Sequence, residues 1–62
     1  MADYDIWLVH EYFTWYTCFY AENKSEVMRL IPQRLQEEGL PRWIMSDAQE
    51  IKIEEKAIVT PL

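Results

Sequence analysis

Residues 3–10, Asp-Tyr-Asp-Ile-Trp-Leu-Val-His, and residues 14–21, Thr-Trp-Tyr-Thr-Cys-Phe-Tyr-Ala, decide the fold. Both runs are rich in the β-branched and aromatic types that suit a pleated, half-buried surface. They read as the two strands of an antiparallel hairpin over residues 3–21. Glu11, Tyr12 and Phe13 join them without Gly, Asn or Pro, so a looser loop is expected rather than a tight primed turn, with two aromatic rings at its tip.

Alternation separates the faces of the hairpin. In the second strand Trp15, Thr17, Phe19 and Ala21 share one side, and Thr14, Tyr16, Cys18 and Tyr20 the other. Phenylalanine has no polar group, whereas a tyrosine hydroxyl seeks water or a partner, so the Trp15/Phe19 side is assigned to the core. Ile6 and Leu8 join it from the first strand, leaving Trp7 and Val9 to face outward with Tyr16 and Tyr20.

Beyond the hairpin a helix is expected over residues 24–38. Asn23 is a favoured N-cap, and Glu26 stands three residues on, in the spacing of a capping box. Val27, Leu30, Ile31 and Leu35 recur at helical steps as a core stripe, with Met28 on its flank. Gly39 suits the left-handed position after the last turn, followed by Leu40 and Pro41. Pro32 lies inside the span and removes a hydrogen bond to the Met28 carbonyl, so the helix is expected to kink there or to split in two.

Residues 42–59 read as C-terminal strands: Arg42–Met45 as a short third strand, Ser46–Ala48 as a turn, and Gln49–Glu54 as a strand with Ile51 and Ile53 inward and Glu50, Lys52 and Glu54 outward. Ala57-Ile58-Val59 suggests an edge strand, and Thr60-Pro61-Leu62 a frayed end. The expected architecture is one small α+β domain over residues 1–62, an antiparallel sheet in one layer with a helix packed on one face, in the order ββαββ or ββαβ.

Composition bounds what such a domain can do. The chain has 62 residues, half of them hydrophobic and 15% aromatic, with a formal net charge of −5. At this size a domain buries only about 60% of the surface its unfolded chain exposes, so much of the apolar content is needed for stability alone. A single cysteine allows no internal disulfide, which favours a reducing setting. The N-terminus has neither the basic nor the apolar region of an export signal, and the longest uncharged run, Tyr12 to Ala21, is half the length of a membrane helix. A cytoplasmic protein without membrane contact is the expectation. There is no Lys or Arg before Lys24, and the six basic residues are scattered, which argues against direct duplex nucleic-acid binding.

Catalytic and metal chemistry find little support. His10-Glu11 is the only imidazole and acid side by side, but it falls at a strand end in a domain with almost no room for a water-excluding pocket. Cys18 has no basic neighbour in sequence to activate it and reads as a buried or half-buried structural thiol. Neither a Cys-x-x-Cys nor a His-x-x-x-His spacing occurs, so zinc is not expected. The single glycine is a helix terminator, which excludes a phosphate-binding loop. No enzyme activity and no cofactor are expected.

Eight of the nine aromatic residues lie between Tyr4 and Tyr20, on both faces of a hairpin that can bury only one. Three readings follow: a two-fold homodimer burying Trp7, Tyr16 and Tyr20; a surface for a different protein; or a platform stacking on small ligands or single-stranded bases. A purely structural homodimeric accessory protein is the blandest form of the first. The acidic residues of the C-terminal half, Glu50, Glu54 and Glu55 among them, are either a solubilising face or a match for a basic site. The leading expectation is a non-enzymatic interaction protein, itself a homodimer, that covers a surface on a larger macromolecule with Tyr12 and Phe13 of the tip and Trp7, Tyr16 and Tyr20 of the outer face as anchors, steered by the three glutamates. In size and acidity it is similar in type to the short proteins with which phages and plasmids block nucleic-acid enzymes of a host, though no motif ties it to a family.

Overall fold

The computed structural model describes residues 1–56. Strand β1 (Ala2–Val9) and strand β2 (Thr14–Ala21) form the hairpin, helix α1 (Lys24–Glu37) follows, then a helical turn α2 (Trp43–Ser46) and strand β3 (Glu50–Glu55). The sheet is antiparallel in the order β2-β1-β3, so the chain leaves β2, crosses one face as α1, and returns on the far side of β1. This is the small α+β architecture with a single sheet layer that the sequence predicts. The strand suggested at Ala57–Val59 and the fraying suggested for Thr60–Leu62 lie outside the described residues.

The hairpin pairs without interruption from Ala2↔Ala21 to Val9↔Thr14. His10 N–H donates to the Phe13 carbonyl at 2.8 Å to close the connection. Among the described residues no non-glycine has a positive φ, so the primed turn is not used. Inward-facing residues follow the alternation: Ile6, Leu8, Thr17, Phe19 and Ala21 are buried, and Trp15 is partly so. Tyr4 and Ala2 join them. A tyrosine is easily assigned to water, but Tyr4 sits two residues before Ile6 on the same face, and the strand period places it under α1.

Helix α1 buries Val27, Ile31 and Leu35 against that face, with Leu30 packed at the margin. Asn23 caps it, its side chain accepting from Glu26 N–H at 2.9 Å. Glu26 returns its bond to the N–H of Glu22, one residue earlier than in a capping box. The helix runs unbroken through Pro32, so the split does not occur: Val27 and Leu35 are anchored in the core on either side of it. At the C-terminus Gly39 takes φ 70°, and Leu40 N–H and Gly39 N–H bond the Leu35 and Gln36 carbonyls at 2.9 and 3.0 Å, a complete Schellman closure.

Arg42–Met45 is not a strand. Pro41 opens a single helical turn whose residues point about 100° apart, so Ile44 enters the core, Trp43 reaches the hairpin tip and Met45 packs at the core's edge. A strand would have forced Trp43 and Met45 onto one side. Four apolar residues carry too little periodicity to separate the two conformations.

Strand β3 begins and ends one residue later than predicted, with the expected parity: Ile51 lies opposite Leu8 and Ile53 opposite Ile6, on the helix-covered side. Ile53 packs on the core, but Ile51 remains 37% exposed. Helix α1 packs closest to β2, the strand farthest from β3, so Ile51 faces an open groove of about 660 Å³ shared with Pro32, Leu35, Arg42, Met45 and Ser46. No helix among the described residues is long and apolar enough to cross a membrane.

Candidate functional site

The side of the sheet away from α1 is a grid set by the strand register. Its rows run Thr14–Val9–Glu50, Tyr16–Trp7–Lys52 and Cys18–Asp5–Glu54, with Tyr20 opposite Asp3 at the end. Each row takes one residue from each strand, so its members meet only because β1 is central.

In the second row the Trp7 and Tyr16 rings lie 5.6 Å apart at 48°, and the Lys52 ammonium stands 5.3 Å over the Trp7 ring. The three side chains form a cation–ring–ring band across the sheet. Tyr16 donates its hydroxyl proton to Asp5 Oδ1 at 2.6 Å, which joins this row to the acidic one below it. That bond, foremost, together with partial desolvation beside the Trp7 ring and the Asp5 charge, pushes the Tyr16 phenol up to about 12. Lys56 reaches the same Asp5 oxygen at 3.5 Å, and Lys52 pairs with Glu54 at 3.3 Å. The face is therefore not an apolar mirror of the core: a held aromatic band borders carboxylates, with Asp3, Asp5, Glu50 and Glu54 outnumbering Lys52 and Lys56.

Five of the sequence-predicted contact residues, Trp7, Tyr16, Tyr20, Glu50 and Glu54, share this face. Tyr16 and Tyr20 are well exposed. Glu55 does not join them, because it lies opposite Tyr4 and so belongs to the other side of the sheet. Tyr12 projects from the hairpin tip, 89% exposed. Phe13, at the same tip, is stacked on His10 with centroids 4.4 Å apart and meets the Trp43 ring edge-on at 6.0 Å.

His10 has a structural task in that cluster. Its Nε2 lies 2.6 Å from the Ile44 carbonyl, so that nitrogen carries the proton and donates, fastening α2 to the hairpin tip. At the opposite edge Arg34 of α1 donates to Thr17 Oγ1 at 2.7 Å and lies 4.4 Å over the Phe19 ring. The Trp15 indole N–H donates to Glu38 at 3.0 Å, giving that carboxylate at the helix end a partner.

Cys18 is exposed on the outer face, neither buried nor half-buried as its sequence context predicts, since it shares the parity of Tyr16 and Tyr20. Among the described residues no three His, Cys, Asp or Glu side chains are arranged to hold a metal ion. Asp5, Lys52 and Lys56 were not singled out from the sequence. Alternation signals that Asp5 shares a face with Trp7, but nothing local places Lys52 beside that ring. No family model, curated protein or solved structure matches this chain.

Proposed function

We propose that the protein is a non-enzymatic interaction module that lays its acidic, aromatic sheet face on a basic surface of a larger protein, in the way of small inhibitors that occupy a nucleic-acid site on an enzyme. The observation that carries this reading is the Tyr16–Trp7–Lys52 band bordered by Asp3, Asp5, Glu50 and Glu54. Tyrosine and tryptophan are the side chains most often found at binding hot spots, and partly ordered rings lose little freedom on binding. The excess of carboxylates supplies steering toward a cationic partner, and the net charge of −5 extends that field over the whole chain. Exposed Tyr12 and Tyr20 extend the surface toward both ends of the sheet. Base stacking is a poorer fit, because Lys52 already occupies the Trp7 ring and carboxylates surround it.

The test is affinity for a purified partner, first captured on immobilised protein and then measured by calorimetry. Trp7→Ala and Tyr20→Ala should each weaken binding tenfold or more, and binding should fall steeply between low and high salt. Binding that ignores both substitutions and salt would remove this reading.

A further inference from the structure

The outer edge of β2 separates this molecule from an ordinary small sheet. No described strand pairs with it, and from Thr14 to Ala21 it holds eight residues with no charge, proline, glycine or bulge. Exposed edges are normally blunted by such features, and β3 shows the contrast with Glu50, Lys52, Glu54 and Glu55 among its six residues. The hairpin bond between His10 and Phe13 sets which backbone groups are free. Residues 15, 17, 19 and 21 bond to β1, so Thr14, Tyr16, Cys18 and Tyr20 turn their N–H and C=O groups to the open side. Among the described residues only the Cys18 carbonyl of these groups has a partner there, a long 3.5 Å contact from Arg34.

We propose that this edge pairs with the β2 edge of a second copy, antiparallel about a two-fold axis at Cys18, to make one continuous six-stranded sheet. The inference deepens the proposed function, since it doubles the outer face and leaves it free. Only registers pairing even-numbered residues with each other satisfy the edge groups. The one centred on Cys18 sets Tyr16 opposite the partner's Tyr20 twice, an aromatic cross-strand pair of the stabilising kind. Because β2 is uncharged, the two-fold brings no like charges face to face within the strands. A two-fold contact also closes on itself, whereas β2 pairing with a partner's β3 would propagate. Stacking the outer faces instead would bury Asp5, Glu54 and their lysines, which is costly for ion pairs. On pairing, the Cys18 carbonyl exchanges the long Arg34 contact for a strand N–H, while Arg34 keeps its 2.7 Å bond to Thr17.

Light scattering on the purified chain should report twice 7.5 kDa as concentration is raised. Over the same range, amide exchange at Tyr16, Cys18 and Tyr20 should slow in the unsubstituted protein. A short bis-maleimide should cross-link the Cys18 thiols of the two copies, because directly opposed residues in a bonded pair lie about 5.5 Å apart at Cα, near neighbours whose Cβ atoms are too far apart for an unstrained disulfide. Cys18→Lys, at an exposed site, should raise the dimer dissociation constant tenfold or more with an unchanged circular dichroism spectrum, and Trp7→Ala should leave the dimer intact. A mass of 7.5 kDa throughout, a mass that grows beyond the dimer, or a dimer lost in Trp7→Ala but kept in Cys18→Lys each overturns the proposal. A dimer with edge protection but no Cys18 cross-link overturns the register. None of these measurements involves the partner, so they stand or fall apart from the proposed function.

Discussion

Leu8 and Trp7 are neighbours in β1 and lie on opposite faces of the same sheet. Leu8 is fully buried beneath α1, in a cluster with Ile6, Ile31 and Leu35. Trp7 is half-buried, and what covers it is a tyrosine ring from β2 and a lysine from β3. The inner face is held by exclusion of water, which is non-directional and tolerates no missing volume. The outer face is held by a few directional contacts in contact with water, each of modest worth. Large apolar side chains on both sides of one strand thus serve different ends: stability inside, a pre-arranged surface outside.

The sharpest way to break that comparison is to truncate the two neighbours in turn. Leu8→Ala should cost about 2–5 kcal/mol in urea unfolding, a large share of the roughly 5–15 kcal/mol that holds a natural domain. Trp7→Ala should cost about 1 kcal/mol or less, as an edge-covered cross-strand pair does. Equal losses would mean that the outer ring is core and not surface.

Arg34→Ala tests where the inner face ends. It leaves the buried Thr17 hydroxyl without its donor and takes the cation from Phe19, for an expected loss of about 1–3 kcal/mol by chemical denaturation. A loss smaller than that would make Arg34 an ordinary surface residue.

The smallest effect belongs to Tyr16→Phe, and it sharpens the outer face by its pH dependence. The hydrogen bond to Asp5 pushes the Tyr16 phenol up to about 12 from its ordinary 10.0, so the neutral, donating form is the one the fold favours. Its contribution is fully present below pH 10 and is lost as pH rises toward 12. Ultraviolet titration should therefore show one phenol ionising near 12 that is absent from Tyr16→Phe. A titration curve of the unsubstituted protein with no component near 12 would show that the bond to Asp5 does not persist in solution.

The sequence exposes some of these features better than others. The hairpin, its two faces and the cap and Gly39 stop of α1 are legible because each rests on a short-range signal: a period of two, an Asn side chain three residues from its N–H, a glycine with positive φ. Arg42–Met45 is not legible in the sequence because a four-residue apolar run fits a strand or a helical turn equally, and the choice depends on where His10 and Phe13 stand. The exposure of Cys18 follows from parity, while the general preference of cysteine for burial pointed the other way. In the candidate site, Trp7, Tyr16 and Tyr20 could be placed together from alternation within the hairpin. Glu55 was grouped with Glu50 and Glu54 by proximity in sequence, although odd and even positions of one strand face opposite ways.

By itself, then, the sequence determined the hairpin, α1 and β3, the inward and outward sets of β1 and β2, and an acidic surface. Tertiary structure alone decided that β3 lies beside β1 and not β2, and through that order it placed Lys52 over Trp7, Lys56 on Asp5 and Ile51 over an open groove. The reason is one of range: alternation and caps are written in neighbours, whereas strand order is set by where α1 must lie to bury Val27, Ile31 and Leu35, a choice made by the whole chain at once.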